Sequence, residues 1–167
     1  MSQPHLLKAI FVTAGVPATN DAAGFEALTW TRVAHPVTGP SFGITHANID
    51  VPNLETGFTL GAKGAGSGID STMSFANVAS DTGQALLKTL GEAGGAEGYG
   101  SIKLARIETP GGAVLPGAAV EYATGYFHSF TENAADTTTY EGFSVNFKQN
   151  APAVKDTEPA PPTPPTP

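Results

Sequence analysis

Two strand-length segments near the C-terminal end, Glu121–Glu132 (EYATGYFHSFTE) and Thr137–Gln149 (TTTYEGFSVNFKQ), are separated only by the polar turn Asn133-Ala134-Ala135-Asp136. Apolar alternation on both sides of a short turn predicts a β-hairpin. Behind it the chain passes into a Pro-rich tail, and no catalytic signature lies nearby. A hairpin that closes a β-rich domain in this way favours a protein that works by pairing and packing rather than by chemistry.

The chain has 167 residues and 14 prolines, half of the prolines beyond Asn150. Removing 151–167 leaves a length that suits one domain with a core of its own. The expected organisation is therefore a β domain over 1–150 and a disordered or polyproline-like tail over 151–167, whose TPPTP ending is read as a solvating terminus ahead of an SH3-type ligand. The apolar fraction is 40% and glycine numbers 20, which fits a sheet protein with long loops or one whose missing burial comes from other subunits. Cysteine is absent, so disulfides, thiol chemistry and Cys-type zinc sites are excluded. No signal peptide is expected at MSQPHLLKAIFVTAG, and no apolar run is long enough to cross a bilayer. Fifteen acidic residues against eight basic ones give a formal charge of −7. The basic residues are scattered singly, which argues against a nucleic-acid grip. Solubility explains such a charge, and so does a surface to which a passing polyanion must not adhere.

Strands are expected at Leu6–Thr13, Phe25–Val33, Phe42–Val51, Ile69–Val78 and Tyr99–Thr109, with the C-terminal hairpin supplying two more. The segment from Pro52 to Gly68 reads as a long glycine-rich loop or flexible hairpin, and loops of that length are usually functional or disordered. One helix is expected after Asp81, with Gln84 as a capping-box partner, Ala85, Leu86, Leu87 and Leu90 as its apolar stripe, and glycines at its end. The fold class that follows is mainly β: a β-sandwich or barrel of about seven strands with one short α-helix.

Features that imitate active sites give way to plainer readings. Gly64-Ala65-Gly66-Ser67-Gly68 lacks the GK[ST] ending of a phosphate loop, and Ser67 lacks the glycine two residues before it that a nucleophile elbow needs. His46, Asn48 and Asp50 alternate and would share a strand face, but asparagine is a poor transition-metal ligand and no second histidine is near in sequence. Glu121, Glu132 and Glu141 are better explained as charges that discourage edge aggregation than as an acid–base pair. Tyr122, Tyr126 and Phe130 share one face of a strand, either as a stacking platform or as half of a core or interface. No cofactor, metal or catalytic residue is expected.

The ordered pieces together resemble the major tail tube proteins of long-tailed (siphovirus-like) bacteriophages, which are related to type VI secretion tube proteins. The resemblance spans 1–150 in layout. It rests on LLKAIFVT and FEALTWTRV, on ITHANIDVPNL leading into a glycine-rich loop, and on IDSTMSFANV followed at once by the helix DTGQALLKTLGE. YGSIKLARIET and the closing hairpin with GYFHSF and FSVNF complete it. It implies a structural, self-assembling, non-enzymatic subunit of a virion tail, made in the host bacterial cytoplasm. It also implies hexameric rings stacked into a tube, an acidic lumen through which DNA slides unbound during ejection, and no membrane binding. Tape measure, tail terminator and tip proteins are the implied partners beside the chain itself, and the layout leans towards the non-contractile type. A loop that reaches an adjacent subunit or ring is implied at Pro52, Asn53, Leu54, Glu55, Thr56, Gly57, Phe58, Thr59, Leu60, Gly61, Ala62, Lys63 and Gly64. The lumen-facing acids are expected among Asp50, Asp70, Glu108, Glu121 and Glu141. The strands at Leu6–Thr13, Ile44–Val51 and Thr139–Phe147 carry few charges or prolines and are expected to be sheet edges that pair between subunits. The alternative is a virion decoration or a carbohydrate- or protein-binding β-sandwich that works through Tyr122, Tyr126 and nearby loops.

Overall fold

The computed structural model describes residues 7–160, so the expectations for Met1–Leu6 and for the TPPTP ending lie outside the described residues. In chain order the elements are β1 (Lys8–Thr13), α1 (Ala22–Glu26), β2 (Thr31–Val33), β3 (Pro36–Thr38), β4 (Ile44–Pro52), β5 (Thr59–Gly68), β6 (Asp70–Ala76), α2 (Thr82–Glu92), a 3₁₀ turn at Gly95–Gly98, β7 (Tyr99–Arg106), β8 (Ala119–Glu132), β9 (Gly142–Gln149) and β10 (Val154–Thr157). The molecule is mainly β, as its sequence leads one to expect.

All pairing is antiparallel. Seven strands follow one another in the order β2-β1-β7-β8-β9-β6-β3, and β10 lies on β8. The two ends of this path, β2 and β3, are joined through Ala34 and His35 alone. Laid flat, seven strands would place the end strands about 29 Å apart, whereas three Cα steps reach at most about 11 Å. The sheet therefore has to roll until its ends nearly meet, which makes it a barrel.

The interior holds Val12, Met73, Phe75, Ile102, Ala123 and Val145, all 0% exposed, together with Phe127 and Phe147. Helix α2 covers this core with Leu87 and Leu90. Asp81 caps the helix by accepting from the Gln84 amide at 2.8 Å. The expected capping box is only half formed. The Gln84 amide group turns away from the cap: its Nε2 donates to the carbonyls of Ala34 and Ala76, and its Oε1 accepts from the Val78 amide. It thus ties the helix to the β2–β3 seam. Gly83 lets the helix lie directly on β2, because a Cβ there would stand 2.3 Å from the Arg32 carbonyl oxygen.

A second, smaller core lies on the other face of the sheet. Tyr122 is 1% exposed and stacks on Phe25 at 5.1 Å with an 8° interplanar angle; Trp30 closes over it at 5.8 Å. The expected strand Phe25–Val33 is mostly not a strand. The Asp21 carboxylate accepts from the Gly24 amide at 2.8 Å and caps α1, so the stretch that leads into Phe25 forms a short helix that carries Phe25 onto Tyr122. Only Thr31–Val33 remains extended.

The boundary expected at Asn150 is also corrected. Val154–Thr157 pairs with β8 through Val154↔Tyr122 and Thr157↔Ala119. Beyond it Glu158 exchanges two backbone hydrogen bonds with Gly117 and Ala118, each 2.8 Å. Its carboxylate meets Lys103 Nζ at 2.5 Å, where the lysine side chain is only 8% exposed. The same ammonium lies 5.3 Å from the Phe11 ring centre and 5.9 Å from that of Tyr122. The last strand thus seals the second core with a nearly dry ion pair.

Candidate assembly surface

Strands β4 and β5 form a separate two-stranded sheet, so the glycine-rich stretch is a hairpin arm. Its tip is set by Asn53. The Asn53 Oδ1 accepts from the Glu55 amide at 2.9 Å, and its carbonyl accepts from the Gly57 amide at 3.0 Å. Gly57 sits at φ +67°, a conformation that glycine adopts without strain. The register runs Pro52↔Thr59, Val51↔Leu60, Asp50↔Gly61, Ile49↔Ala62 and Asn48↔Lys63. Between His46↔Gly66 and Asn48↔Lys63 the register shifts, with Gly64 and Ala65 opposite Ala47, a bulge that twists the ribbon.

That register sorts the side chains. Ile49, Val51, Leu60 and Ala62 fall on one face of the distal arm, and Asn48, Asp50, Thr59 and Lys63 on the other. The apolar face is uncovered: Ile49 is 50% exposed, Val51 48% and Leu60 58%, while at the tip Phe58 is 76% exposed and Leu54 wholly so. A two-stranded hairpin with an open apolar face is at best marginally stable in water, and a contiguous exposed apolar patch marks an interaction surface. All thirteen residues from Pro52 to Gly64 expected in a reaching loop lie on the tip and the distal arm.

The extra residue of the bulge belongs to β5, so Asn48 and Asp50 keep a shared face of β4, where Asn48 Nδ2 donates to Asp50 Oδ1 at 2.9 Å. The five acids expected along a lumen fall on different elements. Asp50 is on the arm, and Asp70 opens β6 with both carboxylate oxygens 3.1 Å from His128 Nε2. Glu108 is exposed beyond the end of β7, and Glu121 on β8 lies 3.8 Å from Lys155 Nζ. Glu141 precedes β9 and accepts from Asn77 Nδ2 at 2.6 Å. Of the three strands expected as edges, β1 lies between β2 and β7, and β9 between β8 and β6. Only β4 is an edge. The barrel had absorbed the other two because its ends curl together, which local sequence does not disclose.

The Tyr122, Tyr126 and Phe130 platform does not form. Tyr122 is buried under Phe25 and Trp30. Ser129, at φ +56°, and Phe130 together stand opposite Val145, one residue more than β9 supplies at that point of the ladder. This bulge shifts the alternation, so Phe130 stacks on Phe143 at 5.1 Å beside α2. It also makes a contact that sequence reading missed. His128 Nδ1 lies 2.8 Å from Ser129 Oγ while its Nε2 faces Asp70. Serine, histidine and aspartate therefore touch in series. The serine is the histidine's own chain neighbour and the whole group lies on the exposed sheet surface, so it orients the ring rather than framing an enclosed site. Asp70 stands 58 residues away, and only the order β8-β9-β6 brings it close.

No protein-family model matches the chain, nor does any curated protein sequence match it significantly. Solved structures do. A chain of the PVC sheath/tube terminator of an extracellular contractile injection system in its extended state matches with a TM-score of 0.61 at 9% identity, over 93% of this chain and 97% of that one. The tube-terminating cap of the anti-feeding prophage matches at 0.60 and 13%, over 95% and 93%. A chain of the six-fold symmetrised anti-feeding prophage baseplate matches at 0.55 and 7%, over 95% and 94%. At such identities the likeness is one of fold, shared with components of contractile injection systems and of the anti-feeding prophage.

Proposed function

We propose that the chain is a structural, non-enzymatic subunit of a phage-tail-like tube, assembling with copies of itself into rings that stack. The observation that carries this reading is the arm, a hairpin whose apolar face is left uncovered by the described residues. Hexameric rings, a virion-tail location, and a tape measure, terminator or tip protein as neighbours belong to the same proposal. So does an acidic lumen lined from among Asp50, Asp70, Glu108, Glu121 and Glu141, where Coulomb repulsion keeps DNA from adhering. The names of two matched structures favour a second position in the same machine, a ring that ends the tube rather than one that repeats along it.

Electron microscopy of the purified protein across a concentration series tests both. Stacked rings or hollow tubes support the repeating subunit, and single rings that do not stack support the end position. Monodisperse monomers at every concentration refute assembly by this chain alone and favour a decoration module.

A further inference from the structure

We infer that the tip of the β4–β5 arm seats in a cleft of a second copy of this chain, at the barrel end where β1 begins and β7 ends; this rests on the assembly reading above. The cleft measures 980 Å³. Leu7, Pro36 and Pro110 give it exposed apolar walls, and Lys8, Arg32 and Arg106 bring three cations to it. Among the described residues none of these three is in an ion pair; Arg32 donates to the carbonyls of Gly111 and Gly112. The one acid lining the cleft, Asp81, is turned to the amides of Gln84 and Ala34. For a chain of formal charge −7, this is an unusual gathering of uncompensated positive charge.

The arm tip has the complementary chemistry. Leu54 and Phe58 are exposed apolar knobs, with Glu55 between them and Asp50 two residues before Pro52. Apolar knobs flanked by carboxylates suit an apolar cleft rimmed by cations, and like-charged alternatives are rejected. An arm tip seated there has to come from another copy. Gly39 and Phe42, just before the arm's root, share a groove with Leu7 and Lys8 of the cleft. The arm extends eight paired positions beyond that root, so its own tip stands on the order of 25 Å away. Tip into cleft is a heterologous, head-to-tail contact, the kind that closes into a ring or propagates along an axis.

The native chain has no cysteine, which makes a disulfide test specific. Glu55→Cys protein is mixed with Arg106→Cys protein under mild oxidation, with Phe58→Cys and His35→Cys as an independent pair. The expected product is the mixed cross-linked dimer in excess over either homodimer. In a parallel series, Arg106→Glu and Glu55→Arg each weaken association by about 5- to 10-fold, and the two charge reversals together restore it. Assembly of the wild-type chain without the mixed cross-link, or charge reversals that simply add, overturns this inference and leaves the assembly reading standing. Failure of the wild-type chain to assemble overturns both. A third outcome also overturns the inference: in dilute monomer, residue 106 as cysteine is shielded from a maleimide dye until residues 2–6 are deleted, which would make the chain's own N-terminal residues the occupant.

Discussion

The barrel and the arm are both built of antiparallel strands yet solve opposite problems. In the barrel, Met73, Phe75, Ile102 and Val145 are fully buried and every long strand has a partner on both sides. In the arm, Ile49, Val51 and Leu60 remain about half exposed, and each strand has a single partner. The barrel's free ends, β2 and β3, are three residues each, too short to template another chain. The arm's edges run nine and ten residues. Self-sufficiency and adhesiveness are thus separated in space: the barrel supplies a rigid platform, and the arm carries a contiguous exposed apolar face with long open edges.

Substitutions should divide along the same line. The largest effect is expected for Phe127→Ala, which empties a ring packed 5.0 Å from Phe147 in the main core. Chemical denaturation should show a loss of about 3 to 5 kcal/mol; a loss under 1 kcal/mol would contradict the barrel core described above. An intermediate effect is expected from alkali. Burial, reinforced by the nearby carboxylates of Glu158, Glu26 and Asp156, pushes the Tyr122 hydroxyl up to about 12. The folded value lies above the unfolded one, so its stabilising contribution is complete below pH 10 and is lost as pH rises from about 10 to 12. The urea midpoint should fall over that window by the equivalent of on the order of 2 kcal/mol, and Tyr122→Phe should flatten the fall. The smallest effect on stability is expected for Val51→Ser combined with Leu60→Ser, within about 0.5 kcal/mol of the parent. The same pair should abolish or strongly weaken assembly in sedimentation. If it unfolds the monomer instead, the arm is part of the folding unit and the division fails.

The sequence made the barrel largely legible where side chains alternate against a buried face. β6, β7, β8 and β9 all carry large apolar residues at period two, and Asp81 marks its helix by a short-range cap. What stayed hidden depends on distance or on missing side chains. Gly61, Gly64, Gly66 and Gly68 give β5 no pattern to read, because its pairing with β4 is carried by backbone alone. Val154-Lys155-Asp156-Thr157 is polar and lies among prolines, and its reason to be a strand is the vacant half of β8 and the distant Lys103. Phe25 looked like a strand residue because a short apolar run does not distinguish a strand from one turn of helix. The arm's residues were identifiable as a projecting segment, but the cleft walls Leu7, Arg32, Arg106 and Pro110 come from four separate segments with no shared motif. The Ser129–His128–Asp70 contact required a bulge that no residue preference announces.

The pairing of Lys103 with Glu158 acquires a further meaning when the chain is considered as it emerges during synthesis. The lysine is made well before its counterion, and the slot on β8 for β10 stays open in the meantime. An incomplete chain that folded would have to hold an ammonium in a nearly dry site with no carboxylate opposite it, a costly arrangement. Only a chain translated through Glu158 can close the second core. The strand Val154–Thr157 is thereby a completion step, since the second core is sealed only when this last described strand has arrived.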